Sequence, residues 1–370
     1  MCLDQTVKLF PIFEIMKNVF TALAFLICVN AIAQLSNESI VVDGLNREYL
    51  LYLPSGFNST ESLPLVLNFH GGSGTATDQL YTADMRDLAD DQNFILVYPN
   101  AYPDVNWNNE TNWQVVTSGD LPETLPNPHS DILFIDELID HLHTQVNIDL
   151  NRVYALGYSN GGGFTFDLAC RLNNKISGIG VVARTMYAES YDNCIVTHPT
   201  PVVTILGDAD YISNYDGMTY AGTLYYYSSN ATNDLWIESN NLIPTSELTI
   251  IPNTNTSDGS TVELYSWFSE DECIELNHYK VIGGGHDWPG TFGNMDIVAH
   301  DIIWEHLSEF GMNGKLDCNS SDVNSINAES STKNIIRVLD PLGREVNHTT
   351  NQILIHIYDD GSVEKKFIVE

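Results

Sequence analysis

Apolar positions along this chain alternate between two textures. Residues 65–69, 94–98, 153–156, 178–183 and 202–206 are short, mostly apolar runs rich in Val, Ile, Leu and aromatics, the pattern of strands covered on both faces. Between them the spacing changes. Residues 78–90 carry helical periodicity, and Ile132, Ile135, Leu138, Ile139 and Leu142 recur at intervals of three and four behind a cap at Ser130 or Asp131. A hairpin is predicted first, with strands at 39–42 and 49–53 about the turn at Asp43 and Gly44. Residues 218–252 read as a polar and aromatic excursion, 262–268 and 279–282 as the last strands, and 298–310 as an amphipathic closing helix. Strands alternating with helices after a hairpin predict an α/β domain with a mostly parallel central sheet flanked by helices.

The run at 153–156 leads into Gly157, Tyr158, Ser159, Asn160, Gly161, which fits the nucleophile-elbow pattern G-x-S-x-G, with a helix expected from about Gly162 to Arg171. A serine at such a corner has its hydroxyl pushed out of the sheet, and flanking glycines are needed because a side chain there would strike a neighbouring element. The strand at 65–69 runs into His70, Gly71, Gly72, Ser73, Gly74, whose backbone N–H groups would face a developing anion at the carboxyl edge of the sheet. Two more polar groups follow strand ends: Asp208 and Asp210 after the run at 202–206, and His286 after Gly283, Gly284 and Gly285. Nucleophile, acid and histidine in that chain order is the order of α/β-hydrolases. Ser159, Asp210 and His286 are therefore the expected catalytic residues, with His286 taking the serine proton and Asp210 fixing its tautomer. The amides of Asn160 and of Gly72 or Ser73 are the expected oxyanion donors.

Composition bounds the partners. Of 370 residues, 15 are Lys or Arg and 49 Asp or Glu, giving a net charge of -34. Such a surface repels phosphate backbones and argues against nucleic acid. From Met16 a basic start, an apolar run too short to span a bilayer, and Ala31, Ile32, Ala33 predict a secretory signal peptide ending at Ala33, hence an extracellular protein with no membrane span in its mature form. Residues 1–15 read as an upstream extension. No metal-ligand spacing such as CxxC or HExxH occurs, and no cofactor is expected. The loop from Asn100 to His129 is rich in Asn, Pro and Trp, and its Trp107 and Trp113 are candidates to touch substrate.

With those residues in place, the chain resembles the secreted polyhydroxybutyrate depolymerase and feruloyl esterase family of carbohydrate esterases. The resemblance rests on residues 64–72 (PLVLNFHGG), 152–163 (RVYALGYSNGGG), Gly207 to Asp210 with Tyr215, Asp216 and Gly217, and 283–290 (GGGHDWPG). It implies the α/β-hydrolase fold and a secreted serine esterase acting on feruloyl, acetyl-xylan or polyhydroxybutyrate-type esters through an acyl-enzyme, with Trp288 near the site. It also implies a disulfide between Cys170 and Cys194. Two departures stand out: Gly72 replaces a frequent cysteine, and Leu206 replaces a usual histidine, which leaves Asp208 as an alternative acid. Cys273 lacks the partner seen in relatives, and either pairs with Cys318 or is a free thiol.

The expected organisation is an extension and signal peptide at 1–33, the hydrolase domain at 34–312, a linker at 313–333 and a tail at 334–370. That tail, ending YDDGSVEKKFIVE, resembles the C-terminal sorting signal of the type nine (Por) secretion system, which implies a contact with the secretion machinery and no part in catalysis. A small carbohydrate-binding module is the rival reading of so short a tail. For the domain, the rivals are a serine peptidase on the same fold and a non-catalytic binding module or adhesin that keeps the scaffold.

Overall fold

Ten strands build one sheet in the computed structural model, which describes residues 34–104, 109–113, 131–318, 335–339, 344, 346, 352–358 and 363–368. In chain order these strands are β1 (Leu35–Val42), β2 (Leu45–Tyr52), β3 (Leu63–Phe69), β4 (Ile95–Pro99), β5 (Ile148–Tyr158), β6 (Gly178–Val182), β7 (Val202–Gly207), β8 (Glu247–Ile250), β9 (Thr261–Phe268) and β10 (Glu275–Ile282). Their spatial order is β1-β2-β4-β3-β5-β6-β7-β10-β9-β8. The six strands from β4 to β10 are mutually parallel, and antiparallel pairs close both edges. Parallel strands need crossovers, and helices supply them, so the middle of the sheet is covered on both faces.

The helices are α1 (Ala76–Thr82), α2 (Arg86–Gln92), α3 (Asp131–Val146), α4 (Asn160–Arg171), α5 (Ala188–Asp192), α6 (Ser229–Ser239) and α7 (Ala299–Leu307). Successive side chains of β5 serve opposite faces. Val153 and Ala155 join a core with Phe134, Leu138, Phe164 and Trp236 from α3, α4 and α6, while Tyr154 and Leu156 join another with Leu80, Ala89 and Ile303 from α1, α2 and α7. A buried ion pair, Arg47 with Asp131, ties β2 to the start of α3.

Several expectations are corrected. The single helix over 78–90 is two helices, broken at Ala83, whose backbone leaves the helical region. The excursion at 218–252 contains α6 and β8, and α5 was not foreseen. α6 escaped because its residues, SNATNDLWIES, alternate polar and apolar groups too weakly to mark a face. β1 starts four residues early, because Leu35 to Glu38 form a largely exposed edge whose polar residues hide the strand. Asp131 lies at the head of α3 as expected, while Ser130 falls outside the described residues.

Two disulfides are formed, Cys170–Cys194 and Cys273–Cys318, closing loops of 24 and 45 residues. The second settles the alternative for Cys273 as a bridge. Each is worth roughly 3 to 4 kcal/mol by loop length. Residues 320–370 form a second unit. Its described part is a three-stranded antiparallel sheet of β11 (Ile335–Leu339), β12 (Gln352–Tyr358) and β13 (Val363–Ile368). The segment expected to be a signal peptide lies outside the described residues, as does most of the expected linker. Among the described residues no helix is long and apolar enough to cross a membrane.

Candidate active site

Ser159 stands between β5 and α4 with φ 52° and ψ -117°, a conformation that costs a non-glycine residue of order 1 to 3 kcal/mol. The surroundings leave it no other. A Cβ on Gly157 would lie 2.2 Å from the Gly161 carbonyl oxygen, and one on Gly161 would lie 2.4 Å from the His70 carbonyl oxygen. The corner closes only because both positions lack side chains. Its hydroxyl meets His286: Ser159 Oγ and His286 Nε2 are 2.8 Å apart.

Behind His286, Nδ1 lies 2.7 Å from Asp210 Oδ2. The other Asp210 oxygen accepts the amides of Ile212 and Ser213, each at 2.8 Å, so the acid is fixed by its own turn. Asp208 is employed elsewhere, accepting the Gly283 amide at 2.7 Å and facing Lys280 at 3.5 Å. Asp210 is thus the acid behind the imidazole. Tyr158 donates its hydroxyl to the His286 carbonyl at 2.7 Å and tethers the histidine loop to the elbow. Burial, with Asp210 and Asp287 nearby, pushes the Tyr158 phenol well above its ordinary range, so it stays a donor.

The glycine loop after β3 forms the facing wall. The Ser73 amide donates to Asn112 Oδ1 at 3.1 Å, so of the two loop amides expected to hold an oxyanion it is already engaged. The amides of Gly72 and Asn160 have no partner among the described residues. A Cβ on Gly72 would lie 3.6 Å from that of Asn160, which brings these two backbone segments side by side. His70 braces the loop from beneath: its Nδ1 lies 2.7 Å from the Gly71 carbonyl, and its Nε2 accepts the Ala101 amide at 3.1 Å. Burial pulls its pKa down to about 4, which keeps the ring neutral as this pair of bonds requires.

Two of the tryptophans expected at substrate are buried. Trp113 is 2% exposed, stacked on Phe164 at 4.8 Å and donating to the His70 carbonyl at 2.9 Å. Trp288 is fully buried behind Tyr158, its indole N–H 3.3 Å from His300 Nδ1. Both brace the walls from inside the core. Trp107 lies outside the described residues. Two exposed aromatics adjoin site residues: Tyr211, 87% exposed and next to Asp210 in the chain, and Phe292, packed edge-on to Tyr158 at 6.1 Å. No sequence signal distinguished these two from core aromatics. Among the described residues no cluster of His, Cys, Asp or Glu could hold a metal.

A parallel sheet that presents a serine elbow, a histidine loop and an acid turn at one rim defines the class: this is an α/β-hydrolase fold. The solved acetyl xylan esterase from Aspergillus awamori superposes with a TM-score of 0.51 at 15% identity, over 74% of this chain and 99% of that one. Residues 47–200 match the family model described as Esterase PHB depolymerase. Among curated proteins, a bifunctional acetylxylan esterase/xylanase from Neocallimastix patriciarum is 24% identical over 75% of this chain and 35% of its own length. Feruloyl esterase B from Piromyces equi is 22% identical over 72% of this chain and 46% of its own. The chain therefore spans between a third and a half of these two relatives.

Proposed function

We propose that this protein is a secreted serine esterase that hydrolyses carboxylic esters through an acyl-enzyme. The observation that carries the reading is the hydrogen-bonded chain from Ser159 through His286 to Asp210. With Nδ1–H held by Asp210, Nε2 is the ring's acceptor and faces the serine hydroxyl. It takes that proton as Oγ attacks the ester carbonyl, and gives it to the leaving alkoxide as the C–O bond breaks. Water then repeats the sequence on the acyl-serine, releasing the acid. Gly72 and Asn160 are the proposed oxyanion donors, each worth roughly a hundred- to a thousandfold in rate.

Feruloyl or acetyl esters of plant polysaccharide are the proposed substrates, ahead of polyester. The names borne by the relatives support this choice, and so does the exposed aromatic rim of Tyr211 and Phe292. Two disulfides favour an oxidising compartment, in keeping with export by the N-terminal segment and the sorting-type tail.

A fluorophosphonate probe tests the mechanism. It should label Ser159 in the folded protein and spare Ser159→Ala; absence of labelling would end the esterase reading. Rates on methyl ferulate, an acetylated xylan and a hydroxybutyrate oligomer would rank the substrate classes. Fastest turnover of the oligomer would put polyester ahead of polysaccharide esters. Export predicts that protein recovered from the medium begins at Gln34; an N-terminus at Met1 would contradict it.

A further inference from the structure

Beyond the acid turn lies a second cleft, of about 680 Å³, whose lining includes none of Ser159, Asp210 or His286. Its floor is the end of the sheet where β9 and β10 run past the helices. Tyr265 pairs with His278 and Trp267 with Leu276 across these strands, so all four side chains share one face. Tyr265 and Trp267, two residues apart on β9, lie with ring centroids 6.3 Å apart and planes 26° from parallel. They form a flat strip of aromatic surface, both rings only partly buried. One wall is α6, which contributes Asn233 and Asp234; the other is the acid turn, with Asp208, Tyr215 and Asp216.

The polar groups are set for a ligand. Asn233 is 4% exposed, yet its amide has no partner among the described residues and lines the cleft. That amide faces the solvent of the cleft and is available to a ligand hydroxyl. Lys280 is occupied, facing Asp208 at 3.5 Å and lying 5.2 Å over the Tyr215 ring. That leaves Asp216 and Asp234 as uncompensated charges. His278 adds none, because burial pulls its pKa down to about 3.

We propose that this cleft binds a neutral polysaccharide, holding the chain that carries the ester while the ester itself reaches Ser159. A strip of two side-by-side rings suits the flat C–H faces of successive sugar rings, whereas a cage would be needed for a cationic ligand. Carboxylates and an amide accept and donate to hydroxyls. The surplus of negative charge excludes uronate-rich chains. Asp208 in its wall stands two residues from Asp210 along the chain, so the cleft adjoins the turn that carries the acid. The inference deepens the esterase reading and rests on it for the link between binding and turnover.

Affinity electrophoresis of Ser159→Ala, which cannot turn the polymer over, provides the test. The protein should be retarded in gels containing neutral xylan and should migrate normally in gels containing polygalacturonate. Tyr265→Ala and Asp234→Ala, both at the cleft surface, should each weaken the retardation by about tenfold, equivalent to roughly 1.4 kcal/mol. No retardation in xylan overturns the proposal, as does full retardation of the Tyr265→Ala protein or tighter binding to polygalacturonate. Hydrolysis of a small aryl ester by the unmutated protein reports the triad alone, so the two readings can fail separately.

Discussion

The two walls that meet at Ser159 are made rigid in opposite ways. The elbow is held chiefly by absence: Gly157 and Gly161 press backbone on backbone around Ser159 at φ 52°, with Thr165 Oγ1 donating to the Gly161 carbonyl at 2.9 Å. The facing loop, from His70 to Gly74, is held by bonds from elsewhere. Asn112 accepts the Ser73 amide, Glu110 the Ser73 hydroxyl at 2.7 Å, Thr111 donates to the Gly74 carbonyl, and Trp113 to that of His70. Steric fixation is local and all-or-none. Polar fixation is shared among several groups, and each can be loosened by about 1 kcal/mol at a time. The proposed nucleophile is served by the first kind, and a loop proposed to close on an oxyanion by the second.

The largest effect should come from removing the group that the elbow presents. Ser159→Ala is expected to lower turnover of an aryl ester by on the order of a millionfold, about 8 kcal/mol, with unfolding midpoint essentially unchanged. Residual activity within a hundredfold of the parent would show that another nucleophile does the work. Next comes the steric device. In an ordinary helix Gly→Ala stabilises by roughly 1 kcal/mol. Gly161→Ala should do the reverse, costing about 3 kcal/mol or more, because its methyl would meet the carbonyl oxygens of Phe69 and His70 at 2.5 and 2.4 Å. A Gly161→Ala protein as stable as the parent in urea would remove the steric account of the elbow.

Acid should separate the walls, since the loop side contains a histidine and the elbow contains no group that titrates between pH 7 and 4. The folded pKa of His70 is pulled below its unfolded value, from 6.5 to about 4. Its stabilising contribution is then complete above pH 6.5 and is lost as pH falls toward 4, at a slope of about 1.4 kcal/mol per pH unit. Across that window the loss reaches about 3 kcal/mol. His278 and His306, each drawn down to about 3 by burial, add slopes of the same sign. Urea titrations at intervals from pH 7 to 4 should therefore show His70→Gln losing less stability per unit than the parent. Equal slopes would mean that His70 is charged in the fold.

The same contrast explains what was legible in the sequence. The parallel strands and the positions of Ser159, Asp210 and His286 could be read, because an apolar run ending in glycine and a reactive residue is a local pattern. The choice between Asp208 and Asp210 could not, since it depends on Asp208 meeting Gly283, 75 residues away. Trp113 and Trp288 misled for a related reason. A tryptophan in a polar stretch looks the same whether it faces solvent or plugs a core, and only Phe164, Phe69 and Tyr158 packed around them decide. The loop's braces were invisible because nothing in residues 110–113 announces a partner some 40 positions earlier.

The smallest effect belongs to one of those braces and is the sharpest test of shared fixation. Asn112→Ala removes the acceptor of the Ser73 amide but leaves the bonds of Glu110, Thr111 and Trp113 in place. Because Ser73 is exposed, water can replace the lost acceptor, and the cost to stability should be about 1 kcal/mol. Turnover should fall by no more than about tenfold, since Gly72 remains beside Asn160. Combining Asn112→Ala with Glu110→Ala, whose targets lie on the same residue, should cost more than the sum of the two single changes, because each brace limits what the loss of the other can release. Strict additivity in both stability and kcat would mean that the loop is held at independent points, and that the contrast with the elbow is one of degree only.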